Sequence, residues 1–253
     1  MICDTFKNLA HATWNKIDDS KRVDYQLKEE TFTDINLLEL KLQHPAEIIT
    51  YEFNKRQEGQ NGADWEWWFT DGTKWVGFRV QAKIINIYSD EFEHLHYQNG
   101  TSAPQSEKLI LQAEDKGVMP RTPVYCLFMS TEKLDETTIT APLKTFGCSL
   151  MSAYRVRGLR TGKIRHVSKL QPYLVPWHEL VCHRADVSLI DHVKAFSKKH
   201  FTSFTKLKHT VNEEITQPPD YVLRVYRATG DNLNFEDSPL SLAGLMIVTS
   251  QSQ

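Results

Sequence analysis

A chain of 253 residues with 40% hydrophobic content carries enough apolar material to bury the core of one α/β domain unaided. Its 30 Lys and Arg against 32 Asp and Glu give a formal charge of −2, so no bulk positive field marks it as a nucleic-acid binder, and any such role must come from local charge distribution. No stretch approaches the ~20 apolar residues that span a bilayer, and the first residues, MICDTFKNLAHATWNK, lack the apolar centre of a signal peptide.

Cys3, Cys126, Cys148 and Cys182 stand far apart without a CxxC pair, which argues against a disulfide framework or a structural zinc knot. A soluble cytoplasmic protein is expected.

Residues 5–27, with Phe6, Leu9, Trp14 and Ile17 among polar positions, predict a helix packed on the outside of the core. From 28 to 43, Phe32, Ile35, Leu38 and Leu42 recur at spacings of three and four, which predicts an amphipathic helix ended by His44-Pro45, with Glu30, Asp34 and Lys41 near another face. EIITYEF (47–53) and ADWEWWF (63–69) predict strands. After a tight turn at Asp71-Gly72, KWVGFRVQAKIINIY (74–88) returns as a third, so 47–88 is expected to form an antiparallel meander. A helix over 103–117, capped by Ser102 and stopped at Gly117, and a buried strand over 123–130 follow. Beyond 130 the pattern predicts helices near 145–156 and 186–200, a Pro-punctuated stretch at 171–179, and a strand at YVLRVYR (221–227).

The third strand carries the chemistry. With a period of two, Arg79, Gln81 and Lys83 share one face and Val80, Ala82 and Ile84 the other. Long polar side chains on a central strand are costly to bury without partners, so the row points to a site. By the same alternation Asp64 and Glu66 share a face of the preceding strand, and pairing across the Asp71-Gly72 turn brings Asp64 level with Gln81 or Lys83. A carboxylate and an amide carbonyl are hard oxygen donors suited to Mg²⁺ or Mn²⁺, and a neighbouring ammonium can orient a water and stabilise charge on phosphoryl oxygens. Glu66 is open between a second ligand and a plain strand residue. Trp65, Trp67 and Trp68 read as packing rather than as a base-stacking platform, and Cys126 and Cys148 as small buried hydrophobes.

Gly62-Ala63-Asp64 followed by Val80-Gln81-Ala82-Lys83 resembles the Mrr-like branch of the PD-(D/E)xK nucleases, in which glutamine stands where most relatives have an acid. The resemblance covers residues 28–130. It implies an α/β fold, a restriction-endonuclease-like αβββαβ core with a mixed central sheet and a C-terminal extension, divided as a helical extension at 1–27, a core at 28–200 and an appendage at 201–253. It also implies a Mg²⁺- or Mn²⁺-dependent endonuclease acting on DNA, with RNA still open. Its catalytic set would be Asp64, Gln81, Lys83 and a further acid from the helix before the first strand: Glu30, with Glu29 and Asp34 as alternatives. The metal would rest on Asp64, Gln81 and Glu30. GADWEWWF with WVGFRVQAK is also similar to bacterial proteins of defence-type gene neighbourhoods, which leaves room for an anti-phage or restriction role, a homodimer and a defence-system partner protein.

Two stretches free of acids, 155–169 and 194–208, are rich in Lys and Arg, so Arg155, Arg157 and Arg160 are the expected phosphate contacts. The competing readings are an idle member of the same fold that serves as a binding or scaffold protein, and a sensor whose C-terminal half takes a small signalling ligand.

Overall fold

The computed structural model describes residues 1–53, 65–114, 120–201, 215–228 and 242–250. In chain order these form α1 (Ile2–Arg22), α2 (Glu29–Gln43), β1 (Ile48–Glu52), β2 (Trp65–Thr70), β3 (Trp75–Ile84), α3 (Gln105–Ala113) and β4 (Arg121–Phe128). They continue through β5 (Cys148–Ser152), α4 (Ala153–Leu159), α5 (Val167–Leu170), β6 (Val175–Pro176), α6 (Leu189–His200), α7 (Asp220–Arg227) and β7 (Gly244–Thr249). The fold is α/β around one mixed seven-stranded sheet of order β1-β7-β2-β3-β4-β5-β6. From α2 to β4 the element order is αβββαβ, as expected. No helix among the described residues is long and apolar enough to cross a membrane.

The strands from 47 to 88 are not a meander. β2 and β3 do form an antiparallel pair across Asp71-Gly72, where Asp71 Oδ1 accepts from the amides of Thr73 and Lys74 at 2.9 and 2.8 Å and Gly72 sits at φ 91°, a region glycine enters without a Cβ clash. β1, however, pairs antiparallel with β7, and β7 runs parallel to β2 between them. Within the stretch expected as a C-terminal appendage, Gly244–Thr249 forms one of the inner strands of the sheet. A Cβ on Gly244 would lie 2.3 Å from the Trp65 indole opposite it, so only glycine lets these two strands pair over that ring. YVLRVYR is not a strand: it forms α7, which buries Val222 and Val225 three residues apart.

Helices cover both sheet faces. Directly paired residues share a face, so Trp65, Trp67, Val80, Ala82, Cys126 and Phe128 lie together beneath α1 and α2, with Phe32 ring-packed on Phe128 and Trp177 between Phe6 and Trp67. The other face carries Glu66, Trp68, Arg79, Gln81 and Lys83 and is covered in part by α3 and α7. All three tryptophans of β2 are buried, as are Cys126 and Cys148. The helix expected near 145–156 is instead a 3₁₀ turn (Leu143–Gly147), β5 and the start of α4.

α1 belongs to the core rather than to its outside, with Phe6, Ala10 and Ile17 fully buried. A Cβ on Gly147 would meet the Ala10 carbonyl at 2.0 Å, so the backbone of α1 rests directly on the turn before β5. That seating brings the start of α1 to the segment after Trp177–Leu180, where Cys3 and Cys182 form a disulfide with a Cα–Cα distance of 4.9 Å. The sequence expectation of no disulfide fails because the two residues are 179 positions apart and only the tertiary packing of α1 joins them. The cytoplasmic expectation loses the support it drew from unpaired cysteines. Closing so long a loop restricts the unfolded chain strongly, so reduction, or Cys182→Ser, is expected to lower stability by about 2–4 kcal/mol. Urea unfolding with and without dithiothreitol measures this, and coincident curves would rule it out.

His178, 6% exposed beneath α1, gives the core an acid-sensitive point. Burial, with the Lys7 and His11 charges nearby, pushes its pKa down to about 4. The unfolded chain binds this proton near pH 6.5 and the folded one does not, so the contribution is fully present above about 6.5 and is lost as pH falls toward 4. Thermal melts across that window should show His178→Gln losing less stability than the parent, by on the order of 2 kcal/mol. Parallel pH profiles would refute the assignment.

Candidate functional site

β3 is buried along its whole length except Ile84, so its polar row must be satisfied inside the protein. Arg79 is 4% exposed, Gln81 1% and Lys83 5%. Alternation puts these three on the face shared with Glu66, as the sequence predicts.

Lys83, at the C-terminal end of β3, places its Nζ 3.0 Å from Glu29 Oε1. Glu29 is the first residue of α2, and its side chain keeps 23% of its surface open to solvent. The acid of the preceding helix that meets Lys83 is Glu29, one of the two alternatives, while Glu30 is exposed. One step along a helix turns a side chain by about 100°, which suffices to swing Glu30 away from the strand end. Gln81 Nε2 donates to the Ala82 carbonyl at 3.2 Å. Asp64, the residue just before β2, lies outside the described residues.

A second cluster occupies the same face farther back along β3. Glu66, fully buried, accepts hydrogen bonds from Arg121 Nη1, from Trp68 Nε1 at 3.0 Å and from the Tyr221 hydroxyl, and Arg79 Nη1 lies 3.8 Å away. Arg121 also donates through Nη2 to the Gln112 carbonyl at 2.7 Å, at the end of α3. Burial, and then the Glu66 carboxylate beside it, holds the Tyr221 hydroxyl well above its ordinary pKa, so it stays a donor. Burial lowers the pKa of Arg79 against the pull of Glu66, whereas for Arg121 burial is outweighed by that carboxylate and the value rises. Glu66 is therefore the hub that ties α3 and α7 to the sheet. Sequence reasoning missed Arg121 and Tyr221, which come from β4 and α7 and carry no local signal of meeting Glu66. An acid on an otherwise aromatic strand, opposite Arg79, was the one clue available.

The three arginines expected to contact phosphate meet two different places in the structure. Arg157 and Arg160 each stand 3.6 Å from Glu107 of α3, while the Arg155 guanidinium lies 4.8 Å above the Tyr173 ring and lines a separate cleft of about 670 Å³ with Lys199 and His200. Among the described residues no group of three or more His, Cys, Asp or Glu side chains is placed to share a metal ion. The oxygens of Glu29 and Gln81 are nonetheless of the hard type that Mg²⁺ accepts.

A family model described as a family of unknown function, DUF6615, matches residues 2–253, so the chain belongs to that family. No curated protein and no solved structure matches it.

Proposed function

We propose that this member of the DUF6615 family is a metal-dependent phosphodiesterase whose centre is Lys83, held by Glu29, with Gln81 and Asp64 as the oxygen donors. The observation that carries the reading is the ion pair of buried Lys83 with partly exposed Glu29, two residues along the strand from a buried Gln81 on the same face. Burying an ammonium and an amide in the middle of a sheet is costly, and a structural role alone is met more cheaply by apolar side chains. Asp64 enters from the sequence spacing that precedes β2. DNA as substrate, and a restriction or anti-phage setting, rest on the resemblance of Asp64, Gln81 and Lys83 to the Mrr-like nucleases.

In this reading Glu29 fixes the direction of the Lys83 ammonium, which orients the attacking water and stabilises negative charge on the phosphoryl oxygens. Gln81 and Asp64 would hold Mg²⁺ or Mn²⁺, whose contribution when bound is to polarise the phosphodiester. A neutral amide in place of an acid lowers the charge of the donor set, so affinity for Mg²⁺ without nucleic acid should be weak. Gln81→Glu should tighten it by roughly tenfold in calorimetry, since a carboxylate binds a hard cation better than an amide does. Unchanged or weaker binding would remove Gln81 from the donor set.

The deciding experiment is incubation of supercoiled plasmid with the protein in Mg²⁺ or Mn²⁺. Nicked or linear product that disappears with EDTA and in Lys83→Ala supports the proposal, and intact plasmid in both metals favours the idle scaffold.

A further inference from the structure

The apolar stripe that the sequence assigns to the core side of α2 is for the most part on the outside. Phe32 is buried, but Ile35, Leu38 and Leu42 are 48%, 56% and 64% exposed, and the helix packs inward through Phe32, Asn36, Leu37 and Leu40. Three large apolar side chains on consecutive turns of one helix form a contiguous patch of the kind that marks an interaction surface. The exposed charges next to it are Asp34 and Lys41.

The helical repeat sorts these five residues. At about 100° per residue, Ile35 and Leu42 fall on one flank of Leu38, and Asp34 and Lys41 fall together on the other. Along the axis, Ile35 and Asp34 lie about 4.5 and 6 Å before Leu38, and Lys41 and Leu42 about 4.5 and 6 Å after it. We infer that this face of α2 is the contact between two copies of the chain, which pair antiparallel about a two-fold axis passing beside Leu38. The symmetry places Leu38 against its own copy, Ile35 of each chain against Leu42 of the other, and Asp34 of each chain against Lys41 of the other. A parallel two-fold would set Asp34 against Ile35 and Lys41 against Leu42, leaving charges on apolar groups. The pattern is self-complementary in one arrangement, which is what an isologous interface requires and what a partner of another sequence does not.

One helix stripe covers less than the ~800 Å² per partner of a standard interface, so the dimer is weak and forms at micromolar concentration. None of the five residues belongs to the candidate site, and the inference stands whether or not the chain is a nuclease.

Sedimentation velocity on the full chain, from about 1 to 100 µM, tests it. The parent should shift from monomer to dimer over this range, and Leu38→Asp should remain monomeric. Asp34→Lys and Lys41→Asp should each weaken dimerisation by about tenfold, because two pairs are turned from attraction to repulsion, and the double variant should return to within about threefold of the parent. Circular dichroism confirms that the variants, all at exposed positions, are folded. A parent that stays monomeric, a Leu38→Asp variant that dimerises like the parent, or a double swap that fails to recover would each overturn the inference.

Discussion

Lys83→Ala should remain folded and cleave plasmid DNA at least about 10²–10³ times more slowly than the parent, the loss typical when a group that stabilises developing transition-state charge is removed. The expectation that folding survives comes from the partner. Truncating one member of a fully buried pair strands the other charge and costs about 3–5 kcal/mol, but Glu29 keeps 23% of its side chain in solvent and can rehydrate. Glu29→Gln separates the two parts of the role, because it keeps the shape that positions the ammonium and removes the charge. It should slow cleavage about tenfold while leaving thermal stability near the parent's. Equal rates for parent and Lys83→Ala, at equal folded fractions, would remove the lysine from the chemistry.

Glu66→Ala should cost about 3–5 kcal/mol in urea unfolding. Glu66 is fully buried and gathers Arg121, Trp68 and Tyr221, with Arg79 at 3.8 Å, from four elements. Alanine leaves the Arg121 guanidinium, the Trp68 N–H and the Tyr221 hydroxyl without their shared acceptor in a dry environment. Glu66→Gln keeps an acceptor for the tryptophan and tyrosine and should lose less. The result separates the two roles that the sequence leaves open for this acid. A metal ligand could be removed with little effect on stability, so a loss below about 1 kcal/mol would make Glu66 part of the site rather than of the frame.

What the sequence disclosed follows the range of the forces involved. The alternation of Arg79, Gln81 and Lys83 with apolar neighbours is local, and the sheet obeys it. The existence of α2 was equally legible, but not its inward face. Phe32, Ile35, Leu38 and Leu42 make a convincing stripe, yet the helix buries Asn36 instead, whose amide bonds to Thr13 of α1 and to the Cys148 thiol. α7 was misread because valines and tyrosines favour strands, whereas Pro218 and Pro219 directly ahead of it and apolar residues three apart suit a helix start. Glu29 and Glu30 could be told apart only by the register of the helix against the end of β3. The Cys3–Cys182 bond and the convergence on Glu66 span 179 and 155 positions, and nothing local encodes such meetings.

The placement of β7 bears on the order in which this protein is assembled. As the chain is synthesised, β1 and β2 appear early, and their facing edges must wait for a strand encoded almost 200 residues after β1. Until Gly244–Thr249 arrives, both edges offer unpaired amides and carbonyls, a template for any other strand in reach, including the same strands of a neighbouring chain. Closing a loop of this length costs chain entropy before the pairing offsets it, so this slot is expected to be the last of the sheet to fill. Yield from refolding should therefore fall steeply with protein concentration, and a segment supplied in trans with the sequence GLMIVT would compete for the slot that the chain reserves for its own late strand.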